Sequence, residues 1–416
     1  MTRERVRMPS GSIGFTALGE EGTMSAKVLI LGGGFGGWVA ANEIRDGLPE
    51  DCRVTVVDRS DSSCLGLSLL WLMTGDRSPD RISRPFSSLE RKGISFERGD
   101  IDRIDPKRRE AVVGGKTVSA DYLVVALGAE LAPETIPGLR DAGHNFYTLS
   151  GADALRRAMA DFSGGRLVIV TAAPGYKCPA APYEAAMLLE HFCRSHGVRD
   201  KTRIELYAAE PGPMPVAGPA VSRAVRQMIE SKGIIYHPEH QVAEADPAGR
   251  RLRFSNGVEA GYDLLCHVPP HRAPRAVRES PLIGESGWVG VDRHTLATKF
   301  DRVYALGDVA SIPLKLGKPL PKAGTFAENE ARVVARNVIR DITGRGEAAV
   351  FDGRGECYVE TGDGLTAYGE GRFYEDPVPD VILHPPAPKW HEAKIRYEKE
   401  WLEGGIRSDE DLRRTG

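Results

Sequence analysis

A cysteine at position 178 lies where a thiol could do chemistry. Cys178 follows Lys177 and precedes a predicted helix, Tyr183 to Cys193. The lysine charge and the partial positive charge at a helix N-terminus both favour a thiolate, so the pKa of this thiol is expected to be lowered. The alternative is a small buried hydrophobic residue, the usual role of an intracellular cysteine.

The remaining cysteines restrict what sulfur chemistry the chain can support. Six cysteines are too few for a disulfide scaffold in 416 residues, so any disulfide is expected to be catalytic. Cys357 is far from Cys178 in sequence and could meet it only through the fold. Three others fall within predicted strands or helices and are expected in the core: Cys52, Cys193 and Cys266.

A glycine-rich segment follows the first predicted strand. That strand, at 27–31, leads into Gly32-x-Gly34-x-x-Gly37, and the next predicted strand ends at Asp58. In this setting the glycines make a tight turn, let the backbone approach a pyrophosphate and let helix pack on sheet, while the carboxylate accepts from a ribose hydroxyl. The pattern predicts a dinucleotide site with these contacts: Gly32, Gly34, Phe35, Gly36, Gly37 and Asp58.

Two further segments identify the dinucleotide by resemblance. Thr298 to Ala310 resembles the second FAD signature of the two-dinucleotide-domain flavoprotein disulfide reductase superfamily, and Asp121 to Gly128 resembles its connecting strand. The resemblance implies FAD, with the carboxylate of Asp308 on the ribityl chain and with Gly128 and Gly307 as further contacts. Taken alone, Asp308 would be an ordinary turn residue.

The elements that must position these residues form two βαβ sets. Short apolar runs alternate with helical patterns, and the second set occupies about 150 to 265. The sequence predicts an α/β protein with two Rossmann-like dinucleotide-binding domains and a C-terminal segment. The expected boundaries are 24–140 and 285–345 for the split FAD-binding domain, 141–284 for the second Rossmann-like domain, 346–416 for a C-terminal redox or interface segment, and 1–23 for a disordered or misassigned extension.

The second Rossmann-like domain has no nucleotide fingerprint. After its first predicted strand the chain reads Thr171-Ala-Ala-Pro-Gly-Tyr-Lys-Cys-Pro-Ala-Ala-Pro-Tyr-Glu184. Prolines lack amide donors, and the bulky Tyr176 and Lys177 would obstruct a pyrophosphate. A type II NADH dehydrogenase is therefore disfavoured, and the loop is built around a cysteine.

From about residue 24 to 400 the chain resembles the sulfide:quinone oxidoreductases and the flavin subunits of flavocytochrome c sulfide dehydrogenase. The resemblance is carried by four segments: Lys177 to Glu184, Pro319 to Glu328, Gly355 to Tyr358 and, more loosely, Gly66 to Gly75. It implies a redox disulfide between Cys178 and Cys357 beside the flavin. Hydrosulfide would attack this disulfide and leave a persulfide, and two electrons would pass into FAD and on to a quinone.

The same resemblance suggests roles for two charged residues, and no metal site is expected. Glu184 is a candidate proton acceptor. Lys322 would begin the helix that points at the pyrimidine edge of the flavin, where its charge would stabilise the anionic reduced form. The alternative for Lys322 is a solvated lysine after a proline-rich loop.

Two departures leave the subtype open. The third cysteine of the quinone-linked enzymes would lie in 121–139, where this chain has none. The flavocytochrome subunits bind FAD covalently through a cysteine between Asp58 and Gly75, but here Cys64 is displaced and Gly66 takes the matching place, so non-covalent FAD is expected. The alternatives are a subunit that reduces cytochrome c and a catalytically silent flavin-binding redox sensor or scaffold. The sulfur substrate is sulfide or a small persulfide or thiol.

Charge and hydropathy restrict the partners. The chain has 55 lysines and arginines and 58 aspartates and glutamates, which gives a net charge of −3. No basic field is therefore available to attract nucleic acid. No signal peptide and no apolar run of membrane-spanning length is found, so a cytoplasmic protein is expected. After a linker-like Pro385 to Pro388, Trp390, Tyr397 and Trp401 share one face of a predicted helix, which would contact a membrane surface, its own domain or a twin subunit.

Overall fold

A computed structural model describes residues 25–404 of the chain. The predicted N-terminal extension, 1–23, lies outside the described residues. The helices, in chain order, are α1 (Phe35–Gly47), α2 (Leu69–Thr74), α3 (Ser87–Glu90), α4 (Leu149–Ala160), α5 (Ala181–Ser195), α6 (Pro219–Ser231), α7 (Arg275–Arg278), α8 (Gly324–Thr343) and α9 (Pro388–Glu403).

The first large sheet has five parallel strands drawn from two separate parts of the chain. Their order across the sheet is Val303–Ala305, Tyr122–Val125, Lys27–Leu31, Arg53–Asp58 and Ile94–Arg98. Helices α1 and α8 pack together on one face. An antiparallel sheet of Ile101–Asp105, Glu110–Val113 and Lys116–Ser119 packs on the other. Because both faces are buried, these strands are continuous apolar runs.

The second large sheet repeats this plan. Its five parallel strands, in order, are His144–Asn145, Leu264–Val268, Gly165–Thr171, Thr202–Tyr207 and Ile235–His237. Helices α4, α5 and α6 contribute to the core on one face. The antiparallel strands Val242–Asp246, Arg251–Phe254 and Glu259–Gly261 cover the other. The predicted α/β fold with two Rossmann-like units is confirmed.

The segment after α8 forms a three-stranded antiparallel sheet that the sequence did not predict. Its strands are Arg354–Gly362, Leu365–Arg372 and Asp380–Ala387. The interpretation of Pro385 to Pro388 as a linker is wrong, since the first three of these residues end the last strand and Pro388 begins α9. Prolines are tolerated here because this strand lies at the edge of the sheet.

Among the described residues, three short two-stranded pairings lie outside the larger sheets. They join Ser62–Cys64 to Ser83–Pro85, Glu130–Leu131 to His271–Arg272, and Val289–Gly290 to Ala310–Ser311. Within residues 25–404 no helix combines the length and the apolar character that crossing a membrane requires.

The aromatic face of α9 packs on the chain's own first Rossmann-like unit. The ring of Trp401 lies 6.3 Å from that of Phe35 and 6.1 Å from that of Trp38, and Tyr397 lies 6.1 Å from Phe35. Arg84 donates a hydrogen bond of 2.6 Å to the carbonyl oxygen of Trp401. The aromatic face of α9 thus packs against its own chain, one of the three partners predicted for it beside a membrane surface and a twin subunit.

We expect Trp401→Ala to destabilise the protein by about 3 to 5 kcal/mol, because a 3 % exposed indole is lost from an aromatic cluster. The control on the same helix is Ile395→Ala, whose side chain is 37 % exposed and should contribute little. Melting temperatures of the two variants measure the difference. Equal melting temperatures would contradict the packing of α9.

Candidate active site

One large cavity runs from the glycine-rich segment to the cysteines. Its volume is about 1080 Å³, the size of a large ligand pocket. All but one of the site residues predicted from the sequence line it: Gly32, Gly34, Phe35, Gly36, Asp58, Gly128, Cys178, Glu184, Gly307, Asp308, Lys322 and Cys357. The exception is Gly37, which lies behind the loop.

The glycines of the loop meet different steric demands. Gly32 has φ of +101°, and a Cβ there would lie 2.4 Å from the carbonyl oxygen of Ala126. A Cβ on Gly37 would lie 2.0 Å from the carbonyl oxygen of Gly32, so this glycine lets the helix approach the turn. At Gly34 a Cβ would meet no atom of the described residues within 4 Å, and it would project into open space beside the cavity.

The start of α1 offers unoccupied donors to the cavity. Gly34 is the N-cap residue and, lacking a side chain, leaves the amides of the first turn uncapped. Asp58 accepts a hydrogen bond of 2.8 Å from the amide of Gly33, which fixes the carboxylate at the cavity wall. Uncapped amides and a positive helix end suit a diphosphate, and an anchored carboxylate suits a ribose. The residues present therefore fit FAD.

Lys322 lies two residues before α8 rather than at its first turn. Its ammonium donates to the carbonyl oxygens of Asp308 (2.6 Å) and Ala310 (3.0 Å), and it lies 3.7 Å from the ring centre of Trp288. The lysine is therefore held against the Asp308 segment instead of being solvated. Burial lowers the pKa of Lys322 to about 8.

Cys178 is held in a strained loop by its own backbone. Its φ is +48°, a left-handed conformation that costs energy for a non-glycine residue. The amide of Cys178 donates to the carbonyl oxygen of Lys322 at 2.6 Å, and the hydroxyl of Tyr147 donates to the carbonyl oxygen of Cys178 at 3.1 Å. Tyr147 was not predicted as a site residue, and no motif marks it.

The fold brings Cys178 and Cys357 to the same cavity as free thiols, and both pack against the same hydrophobic cluster. The expectation of a lowered pKa at Cys178 is wrong, because burial raises it to about 12 and the nearby Glu184 adds to the effect. Burial also raises the pKa of Cys357 well above its usual range, with a further contribution from Cys178. The core assignment of Cys52, Cys193 and Cys266 is confirmed by their burial.

Cys64 also lines this cavity. It lies on the short strand Ser62–Cys64, and burial raises its pKa to about 12 despite the charge of Lys177. A thiol in this state is a weak nucleophile.

Glu184 has a partner that the sequence did not predict. Its carboxylate lies in the first turn of α5, 2.8 Å from the ammonium of Lys394 on α9, and it accepts a hydrogen bond of 3.0 Å from the amide of Glu360. Burial raises the pKa of Glu184 in spite of the lysine. The sequence feature that could have indicated a buried Lys394 is its position between Trp390 and Tyr397, on the aromatic face of the predicted C-terminal helix.

A second buried carboxylate lies behind the flavin signature. Glu330 on α8 accepts a hydrogen bond of 2.6 Å from the amide of Gly307, next to Asp308 and Lys322. Burial raises the pKa of Glu330 from 4.5 to about 8. The folded state therefore favours the neutral acid, and this contribution to stability is complete below about pH 4.5 and is lost as the pH rises through about 8.

We expect Glu330→Gln to abolish the loss of stability at high pH, because the amide keeps an acceptor for the Gly307 N–H but cannot ionise. The free energy of unfolding of the variant relative to the wild type should increase between pH 5 and pH 9 by up to about 4 kcal/mol. Thermal unfolding at a series of pH values measures it. Glu392→Gln, an exposed charge on α9, is the control and should show no such trend. A flat profile for Glu330→Gln would contradict the burial effect.

Comparison with known proteins agrees with this architecture. The sulfide-quinone reductase of Aquifex aeolicus is 26% identical over 404 residues, 91% of each chain. The mitochondrial sulfide:quinone oxidoreductase of Dictyostelium discoideum is 24% identical over 383 residues, 87% of this chain and 82% of that protein. The solved structure of the Aquifex aeolicus sulfide:quinone oxidoreductase superposes with a TM-score of 0.83 at 23% identity, and the match covers 92% of this chain and 93% of that one.

A family profile described as pyridine nucleotide-disulphide oxidoreductase matches residues 26–331. This range includes the glycine-rich loop, the Cys178 loop and the Asp308 segment. The match, over most of the chain and with both parallel sheets inside it, shows that the protein belongs to the pyridine nucleotide-disulphide oxidoreductase family.

Proposed function

We propose that this protein is an FAD-dependent oxidoreductase of the sulfide:quinone type, which oxidises sulfide or a small persulfide or thiol through Cys178 and Cys357. The observation that carries the proposal is the meeting of these two cysteines, distant in sequence, in the cavity that the dinucleotide-binding glycines line. Relatives that carry this name match nearly the whole chain. The quinone is the proposed electron acceptor.

The cofactor would be held by groups already in place. The amides at the start of α1 and the open backbone at Gly34 would bind the pyrophosphate, and the carboxylate of Asp58 would bind the ribose. Asp308 would contact the ribityl chain, and Gly128 and Gly307 would be further contacts in the same cavity. FAD supplies the two-electron acceptor of the reaction. The raised pKa of Cys64 makes it a weak nucleophile, which supports non-covalent binding.

Four residues of the cavity would carry the reaction with sulfide. With Cys178 and Cys357 joined as a disulfide, the sulfur of hydrosulfide bonds to one Sγ, the Sγ–Sγ bond breaks, and the other cysteine leaves as a thiolate. The S–H proton is released, so charge and electrons balance. Glu184, in the first turn of α5, is the proposed proton acceptor. The ammonium of Lys322 at the cavity wall would offset negative charge on the reduced cofactor.

Anaerobic addition of sulfide tests the function. We expect the flavin absorbance of the wild type to bleach and that of Cys178→Ser and Cys357→Ser to persist, a loss of rate of at least about a hundredfold. Cys266→Ser, a buried cysteine on a strand of the second sheet, is the control and should bleach normally if it folds.

The acceptor and the competing functions are resolved in the same cuvette. Reoxidation by a short-chain quinone would support the proposed acceptor, and reoxidation by cytochrome c alone would identify a flavocytochrome-like subunit. A flavin that stays oxidised with every sulfur donor would contradict the enzyme and favour a redox sensor or scaffold. Bleaching by NADH alone would contradict the account of the second Rossmann-like unit.

We expect Gly34→Val to purify with little FAD while keeping its fold. The added Cβ would meet no atom within 4 Å among the described residues, yet the side chain would fill the space through which the pyrophosphate approaches. Gly290→Val is a matched control, since its Cβ is equally unobstructed and it lies outside the cavity lining. The ratio of flavin to protein absorbance, with the melting temperature, measures both effects. Full flavin content in Gly34→Val would refute the cofactor site.

A further inference from the structure

A chain of buried charged groups leads from the cavity to the protein surface. The ammonium of Lys394 lies 2.8 Å from the carboxylate of Glu184 and 3.7 Å from that of Glu360. The Glu360 carboxylate contacts Nδ1 of His391 at 3.1 Å. Glu184 and Lys394 line the cavity, and their side chains and that of Glu360 are at most 4 % exposed, whereas His391 is 26 % exposed. The four groups therefore connect the cysteine site to solvent.

The packing around this chain supplies few competing charges. At the inner end Glu184 is close enough to Cys178, Cys357 and Tyr147 for its charge to raise the pKa of each. At the outer end the ring of Trp71 on α2 lies 5.0 Å from the ammonium of Lys394 and 6.1 Å from the ring of His391.

Arg77, just after α2, is already paired. Its guanidinium lies 4.7 Å from the ring centre of Trp71 and forms an ion pair of 2.8 Å with Glu398 on α9.

The charges along the chain make Glu184 the group that binds the proton first and keep Glu360 anionic. Burial raises the pKa of Glu184, so it binds a proton more readily than a solvated carboxylate. Burial opposes the charge of Glu360, but Lys394 and the hydrogen bond with His391 outweigh it and lower the pKa of Glu360. Burial also opposes the charge of Lys394, yet the two carboxylates outweigh it and raise its pKa. A proton bound at Glu184 is thus next to an ammonium that also lies 3.7 Å from an anionic carboxylate. The outward direction comes from loss of the proton to solvent at His391, not from these pKa values.

We propose that Glu184, Lys394, Glu360 and His391 form a proton-conducting chain that carries the proton released at the cysteine pair to solvent. The inference rests on the proposed function, in which hydrosulfide bonds to one Sγ, the Sγ–Sγ bond breaks and the S–H proton passes to Glu184. Lys394 takes that proton as it gives one to Glu360, and His391 passes it to water. No electrons move along this route.

Stopped-flow mixing with sulfide, read at two wavelengths, tests the route. Flavin bleaching reports the redox reaction, and a pH indicator in dilute buffer reports proton release. In His391→Gln we expect proton release to slow about tenfold and added imidazole to restore it, because a diffusible base replaces the missing one. In Glu360→Gln the same slowing should persist with imidazole, since the position is buried.

The matched control is His384→Gln. His384 is also a half-exposed histidine paired with a glutamate, Glu370 at 2.7 Å, but it lies on the edge strand Asp380–Ala387, away from the cavity lining. Its proton release should equal that of the wild type.

The outcomes separate the two proposals. A wild type that sulfide does not bleach refutes the proposed function and the route with it. A wild type that bleaches, with His391→Gln and Glu360→Gln releasing protons at its rate, refutes the route and leaves the function intact. Slowing in His391→Gln that imidazole does not restore would show a structural role and also overturn the route.

Discussion

The ion pair between Glu184 and Lys394 holds the candidate active site together. Both side chains are at most 4 % exposed, and a buried charge is costly without an opposite charge beside it. Glu184 belongs to the first turn of α5 and Lys394 to the middle of α9, while Glu360, on the strand between them in sequence, shares the same ammonium. The pair therefore makes the C-terminal segment one wall of the cavity in which Cys178 and Cys357 lie.

The same burial determines what the two cysteines can do. It raises the pKa of both thiols, so a resting thiolate nucleophile is disfavoured. A disulfide carries no charge and tolerates this environment, and its proposed attacker arrives from solvent already ionised. The costly species is the thiolate that leaves, and the ammonium of Lys394 is the charge that lowers the pKa of Cys178 against burial. One lysine would thus serve the proton acceptor and the leaving sulfur together.

The parts of the structure that depend on local backbone demands could be predicted from the sequence. The apolar strands and the Gly32 turn follow from burial on both faces and from a left-handed φ. The strand Asp380–Ala387 was missed because its prolines resemble a linker until the edge of a sheet is known. The pKa of Cys178 was misjudged because sequence neighbours show charge but not burial. Likewise, Lys394 and Glu184 are 210 positions apart, so no spacing could pair them.

The position of Cys178 explains how a Rossmann-like unit can carry sulfur chemistry in place of a second nucleotide. In open parallel sheets the loops at the carboxyl ends of the strands form the binding crevice. The loop after Gly165–Thr171 occupies that place, but its buried Tyr176 and the buried Tyr183 of α5 fill space, and a cysteine, Cys178, takes a left-handed conformation there in addition to Gly175. The hydrogen bond from the Cys178 amide to Lys322 draws this loop onto the first unit. The fold keeps the crevice and directs it at the cofactor cavity, so that the thiol and the dinucleotide-binding loop share one space.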